Sequence, residues 1–314
     1  MRFHLAVQFL PLEDVRTFTL AADRLGYDGV YLSDHLFNPR ELESKYTYST
    51  APDGSPFWEK ETEWPDPMGL ISYLAGQTTN VTFTTGIYIA PARDLITVAK
   101  SVGTAAVLSD NRVRLGVGVG WCKEEYEQTG QDFHTRGKRL DDMIPALRAL
   151  WQGGWVEYHG SHYDVPECQM NPAPSQPVPI LGGGDSAPAL RRATTLCDGW
   201  INTGAAFPDE AFAQVATVHE HLAAAGRTPE GYSVYLAVKA FPDHDLFHRL
   251  EAAGVTDLLC APWLLAPEEE GDTPEALRSR RLEEIERYAE EYVGPRSEER
   301  RVGKECRSRW SPYH

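Results

Sequence analysis

The closed (β/α)8 TIM barrel, an α/β fold, is the architecture this sequence predicts, and three observations predict it. Strand-like apolar runs alternate eight times with stretches of helical periodicity. No shift of composition and no low-complexity linker divides the chain, and its 42% hydrophobic residues suffice for one large core. Eight strands, each covered by its own crossover helix, complete a closed parallel sheet; an open doubly wound sheet is the competing arrangement.

Taken in order, residues 3–9 form the first strand. Val15, Phe18, Ala22 and Leu25 recur at helical spacing until Gly26 ends the helix. A second strand over 29–35 is followed by a polar, aromatic insertion and a helix over 65–79. The third unit pairs a strand over 81–90 with a helix over 94–109. In the fourth, a strand over 112–121 precedes a helix with Leu140, Ile144, Leu147 and Trp151 in register. Strands over 179–184, 199–203, 233–240 and 256–261 precede helices over 186–196, 209–225, 244–253 and 274–292.

Two insertions interrupt this pattern. Residues 36–64, after the second strand, carry Tyr46, Tyr48, Phe57, Trp58 and Trp64 among charges, at the strand end where barrel active sites lie. Residues 153–178, before the fifth strand, hold Tyr158, Tyr163 and four prolines, which predicts a hairpin and an extended crossing segment.

With 30 Lys or Arg against 46 Asp or Glu, the formal charge is −16, which argues against a nucleic-acid partner, because counterion release needs a basic stripe. No apolar run reaches the roughly 20 residues of a membrane span. The first eight residues, broken by Arg2, His4 and Gln8, lack a signal-peptide core, so a cytoplasmic chain is expected. Residues 296–314 break from the rest in charge sign and pattern and resemble a translated sequencing adapter. We therefore read 1–295 as one domain and 296–314 as a non-native, adapter-derived tail. Cys122, Cys168, Cys197 and Cys260 then remain, without short-spaced pairs, and are expected to be buried thiols. The histidine pairs 159/162, 219/221 and 244/248 lack clustered partners, so no metal site is expected.

Chemistry has three candidate locations. In the fourth strand, period two puts Gly116, Gly118 and Gly120 on one face, where a flat ring or a phosphate can approach the backbone. The fifth strand runs into GGGDSAPAL, whose Gly183, Gly184 and Ser186 suit a phosphate at a helix N-terminus; the same residues also suit a plain tight turn capped by Asp185 or Ser186. Asp34 and His35 end the second strand, where a histidine can exchange protons and a neighbouring aspartate can fix its tautomer or raise its pKa; a purely structural histidine is the alternative. Glu124, Glu125 and Glu127 read as a solvated helix face.

SDH at 33–35, TGIYIAP at 85–91, LGVGVGW at 115–121, RGKRLDD at 136–142, PILGGGDSAPALRRA at 179–193 and CDGW at 197–200 stand together in one order. In that set the chain resembles the bacterial-luciferase-like superfamily, and within it the coenzyme F420-dependent oxidoreductases. The resemblance implies hydride transfer between the deazaflavin F420 and a small organic substrate, with the cofactor ring over the C-terminal strand ends. It places a non-proline cis peptide at Gly86 and Ile87 behind that ring, Gly118 and Gly120 beside it, and the phosphate near Gly183, Gly184 and Ser186. An FMN-dependent monooxygenase is the alternative, and a non-catalytic flavin-binding protein the second. Family dehydrogenases carry a glutamate where Trp121 stands here, which leaves His35 as the expected proton-handling residue. Sugar-phosphate dehydrogenases carry a lysine after the sixth strand, whereas here Gly204, Ala205 and Ala206 follow Thr203. An apolar or planar small substrate is expected instead, with a homodimer as the possible assembly.

Overall fold

The structure, a computed structural model, describes residues 1–294; the tail read as foreign lies outside the described residues. In chain order the elements are β1 (Arg2–Ala6), α1 (Leu12–Leu25), β2 (Gly29–Leu32), α2 (Pro67–Ala75), β3 (Thr82–Thr85), α3 (Leu95–Leu108), β4 (Val113–Val117) and the short α4 (Lys123–Gln128). They continue with α5 (Arg136–Leu150), β5 (Val156–His159), β6 (Asp164–Cys168), β7 (Ile180–Gly183), α6 (Ala187–Leu196), β8 (Gly199–Ile201), α7 (Pro208–Ala224), β9 (Ser233–Ala237), α8 (His244–Ala253), β10 (Asp257–Cys260) and α9 (Pro274–Tyr288). Eight strands close in the order β1-β10-β9-β8-β7-β4-β3-β2, every pairing parallel, while β5 and β6 form an antiparallel ribbon outside the barrel. The predicted barrel and the predicted hairpin are both present.

The strands are shorter than the apolar runs because the C-terminal ends of the runs leave the sheet to build the barrel mouth. Residues 33–35, 86–90 and 118–121 all lie past their strands. Two expectations change. Gly120 does not continue the face of Gly116 and Gly118: it sits at φ 63° in a turn, where an added Cβ would fall 2.8 Å from Ile89 Cγ2. Cys168 is only half-buried, while Cys122, Cys197 and Cys260 are buried.

Outward-facing strand residues such as Val113, Leu115 and Val117 are covered by the helical shell, where Leu140, Ile144 and Leu147 of α5 are also fully buried. Trp151, at the end of α5, donates its indole N–H to the Ala99 carbonyl of α3 at 2.9 Å. Each fully buried Leu or Phe of this shell contributes about 1.5–3 kcal/mol.

Strand register puts Ala6, Tyr31, Thr84 and Arg114 on the inner face, and Leu181, Gly183, Ile201, Tyr235, Ala237, Asp257 and Leu259 with them. At the N-terminal end the interior is polar. Asp257, fully buried, accepts from Arg2 at 2.6 Å and pairs with His4 Nε2 at 2.6 Å. Burial acts to raise the Asp257 pKa, but the His4 bond and the His4 and Arg2 charges outweigh it and hold it below the usual carboxylate range. The C-terminal end is built differently.

Candidate active site

At the C-terminal mouth the inward positions on β1, β3, β4, β7 and β9 are Ala6, Gly86, Gly118, Gly183 and Ala237. None presents more than a methyl group. One side chain crosses this floor, that of Ile87: an added Cβ would meet it at 1.7 Å on Gly118 and 2.4 Å on Gly183. The Gly86–Ile87 peptide is cis, and a Cβ on Gly86 would fall inside the Tyr31 ring. Glycine at these three positions is thus already required by the packing of Ile87 and Tyr31. The floor that results is the Ile87 side chain laid over glycines, an apolar surface of small residues against which a flat ring can lie.

Asp34 is buried, but its carboxylate is not on His35. It accepts from the Ile89 amide at 2.9 Å and from Arg93 Nη1 and Nη2 at 2.7 and 2.9 Å, so Asp34 is not the expected partner that sets the tautomer or charge of His35. Arg93 in turn lies 4.2 Å over the Tyr88 ring. Asp34 therefore anchors the segment that follows the cis peptide. The carboxylate on His35 is Glu125, with Oε1 3.1 Å from Nδ1. Expected on a solvated face, Glu125 is instead fully buried, while Glu127 stays exposed and pairs with Lys123 at 2.7 Å. A six-residue helix with the sequence KEEYEQ has no hydrophobic periodicity, so the one sequence signal of which glutamate turns inward is the adjacent Tyr126, which is buried with it.

Around the His35 ring stand Trp64, Trp58 and Trp121, with ring centroids 4.7, 5.4 and 5.7 Å away. Tyr46 packs on Trp58 and Trp121 at 4.9 and 5.2 Å, and burial pushes its phenol up to about 12. Phe9, at φ 64°, stacks on Trp58 at 5.6 Å. A bulky residue held in that strained region at a functional mouth has its position fixed by its surroundings. The insertion continues across the mouth until Tyr48 lies against Thr203 and Asp185. Its near end is fastened to α4: Glu124 accepts from the Glu43 and Ser44 amides at 2.8 and 3.0 Å. A cleft of about 560 Å³ opens beside this fastening, lined by Glu41, Glu43, Glu124 and Glu127 as well as Trp121 and Phe133. Lys45 and Lys123 also line it, but its four carboxylates outnumber them and make it a poor match for an anionic cofactor.

The glycine turn is braced from behind. Trp200 Nε1 donates to the Gly184 carbonyl at 2.9 Å, and Thr203 Oγ1 donates to Asp185. Gly184 is at φ 124°, a conformation open to glycine. Ser186 is the exposed N-cap of the ten-residue α6, and its hydroxyl makes no capping bond, which leaves the helix start available to an anion. Asp185 is the feature of this turn that opposes an anion, and its Oδ2 is engaged by Thr203.

A parallel barrel whose C-terminal mouth combines a floor of small residues with a histidine held by a buried carboxylate has the layout of barrel enzymes. Residues 3–303 match the model of the luciferase-like monooxygenase family, and the chain belongs to that family. An uncharacterized protein of Mycobacterium tuberculosis (strain ATCC 25618 / H37Rv) is 36% identical over 273 residues, which is 86% of this chain and 93% of that one. The F420-dependent glucose-6-phosphate dehydrogenase of Microbacterium testaceum (strain StLB037) is 28% identical over 296 residues, 91% of this chain and 80% of its own. Among solved structures, the coenzyme F420 dependent tetrahydromethanopterin reductase from Methanopyrus kandleri aligns at TM-score 0.65 and 14% identity, covering 93% of this chain and 98% of that one, a likeness of fold. Among the described residues no helix is long and apolar enough to cross a membrane.

Proposed function

We propose that this protein is an F420-dependent oxidoreductase that transfers a hydride to or from a small, planar or apolar organic substrate. The observation that carries the reading is the floor of Ala6, Gly86, Gly118, Gly183 and Ala237 at the strand ends, crossed by the apolar side chain of Ile87, with His35 three residues past β2. The F420-dependent relatives support the choice of deazaflavin over FMN. Gly86, Ile87 and Gly118 would back the ring, with Gly120 in the adjoining turn, while Gly183, Gly184 and Ser186 would hold the phosphate. Bound there, the deazaflavin supplies or accepts a hydride at a ring carbon.

This chain's own part is the proton. Reduction of a polar double bond adds a hydride to carbon and a proton to the neighbouring heteroatom, and oxidation removes both. His35 moves that proton, and the indoles of Trp58, Trp64 and Trp121 keep bulk water from the ring it acts beside. The aromatic insertion gives the substrate apolar, planar walls. Thr203 and Gly204 follow β8, with no lysine there for a sugar phosphate, so the substrate is set apart from that of the Microbacterium relative.

Fluorescence titration tests the cofactor. F420 is expected to bind at micromolar or better affinity and FMN at least about tenfold more weakly, a gap of about 1.4 kcal/mol. Equal or reversed affinities would overturn the reading in favour of an FMN-dependent monooxygenase on the same barrel.

A further inference from the structure

We infer that Glu125 is the positioning residue of His35: its buried carboxylate holds a proton on Nδ1 and so makes Nε2 the nitrogen that exchanges with substrate. The inference deepens the proposed function and rests on His35 being its proton-handling residue.

Glu125 projects from α4 beneath the start of the insertion. One oxygen, Oε1, meets two groups: the Leu36 amide donates to it at 2.6 Å, and His35 Nδ1 lies 3.1 Å away. A backbone amide can only donate, so Oε1 is already acting as an acceptor where it meets the ring. A ring nitrogen that bonds to that oxygen brings its own proton, and the neutral imidazole then keeps its lone pair on Nε2. Among the described residues Nε2 makes no hydrogen bond, and the His35 side chain stays 10% exposed. The other carboxylate oxygen, Oε2, is buried without a partner, so the ring and the Leu36 amide are what compensate this carboxylate for its burial.

The neighbours add no rival for this role. From β2, Asp34 is taken by Arg93. On α4, Glu124 faces the Glu43 and Ser44 amides, and Glu127 pairs with Lys123. From the insertion, Tyr46 is neutral at physiological pH, its phenol pushed up by burial. The indoles of Trp58, Trp64 and Trp121 do not titrate. In the reducing direction a protonated His35 gives its Nε2 proton to the substrate heteroatom as the hydride reaches carbon, and the Nδ1 proton stays toward Glu125. Oxidation returns a proton to Nε2.

Ring-nitrogen NMR of the full chain with ¹⁵N-labelled histidine tests this, the His35 signals being assigned by their loss in His35→Ala. At a pH where the ring is neutral, wild type is expected to show the Nδ1–H tautomer. Glu125→Gln, which still offers an oxygen, should keep it, and Glu125→Leu should move most of the population to Nε2–H. A wild-type Nε2–H tautomer overturns the inference without any variant, which covers the case in which Glu125→Leu does not fold. Retention of Nδ1–H in folded Glu125→Leu overturns it too. F420 titration of the same wild-type sample separates the two failures: a normal tautomer without F420 binding sinks the functional reading, and F420 binding with the wrong tautomer sinks this one.

Discussion

Replacing Asp34 with alanine should destabilise the protein strongly while leaving the His35 tautomer as it is. The deletion removes the acceptor of three hydrogen bonds, from the Ile89 amide and both Arg93 terminal nitrogens, at a carboxylate with no solvent exposure. Breaking a buried pair at one partner costs about 3–5 kcal/mol, and an orphaned amide adds about 1–3 kcal/mol. Arg93 keeps some compensation: it is 14% exposed, lies 3.8 Å from Asp66 and bonds its own turn at the Ile89 carbonyl at 3.3 Å. The lower end of the sum, about 4 kcal/mol, is therefore the expected loss. With an unfolding entropy of roughly 2.1 cal/mol/K per residue, a chain of this size gives about 0.6 kcal/mol/K, so Tm should fall by about 6–7 °C. Scanning calorimetry at pH 7 reads this directly. The companion variant Asp34→Ala/Arg93→Met should recover part of the loss, because the stranded guanidinium is gone. A fall below 1 °C, or a double variant no better than the single one, would refute the argument that Asp34 is an anchor.

Ser186→Ala should weaken F420 binding about three- to tenfold with Tm unchanged within 1 °C, because the hydroxyl makes no bond in the fold; unchanged affinity would remove Ser186 from the phosphate site. His35→Ala should keep F420 affinity within about threefold and lose at least about 100-fold in turnover of an accepted substrate, and equal losses in both would assign it to binding instead. The hold of the insertion on α4 should weaken in acid. Burial acts to raise the Glu124 pKa, but hydrogen bonds from Ser44 outweigh it and hold it at about 2, so the stabilisation is fully present above the unfolded value near 4.5 and is lost as pH falls from there toward 2. Tryptophan emission from Trp58 and Trp64 should shift to the red across that window in wild type and show no such step in Glu124→Ala; an identical step in both would refute the fastening.

Much of the site was written in local sequence. Gly118, Gly183 and Gly184 can be read as close-approach positions from the chain alone, because period two and a strand-to-helix turn are local patterns. Their reason was not. In the structure Gly118 and Gly183 make room first for Ile87, a residue from another strand, so Gly183→Val would disturb the fold as well as any ligand. The aromatic insertion was visible as composition, but that it spans the mouth from β2 to Thr203 after β8 is not.

The sequence by itself determined the alternation of eight strands with helices and the glycine-lined strand ends, since each follows from backbone periodicity and from the absence of a Cβ within a few neighbouring residues. Only the tertiary structure decided the partners of the charged groups. Asp34 meets Arg93 across 59 residues and His35 meets Glu125 across 90. Such pairings follow from barrel closure, which brings the ends of distant strands to one mouth, and from burial, which makes a charge costly unless a specific counterpart is there. A carboxylate beside a histidine in sequence was therefore no guide to which carboxylate the histidine meets in space.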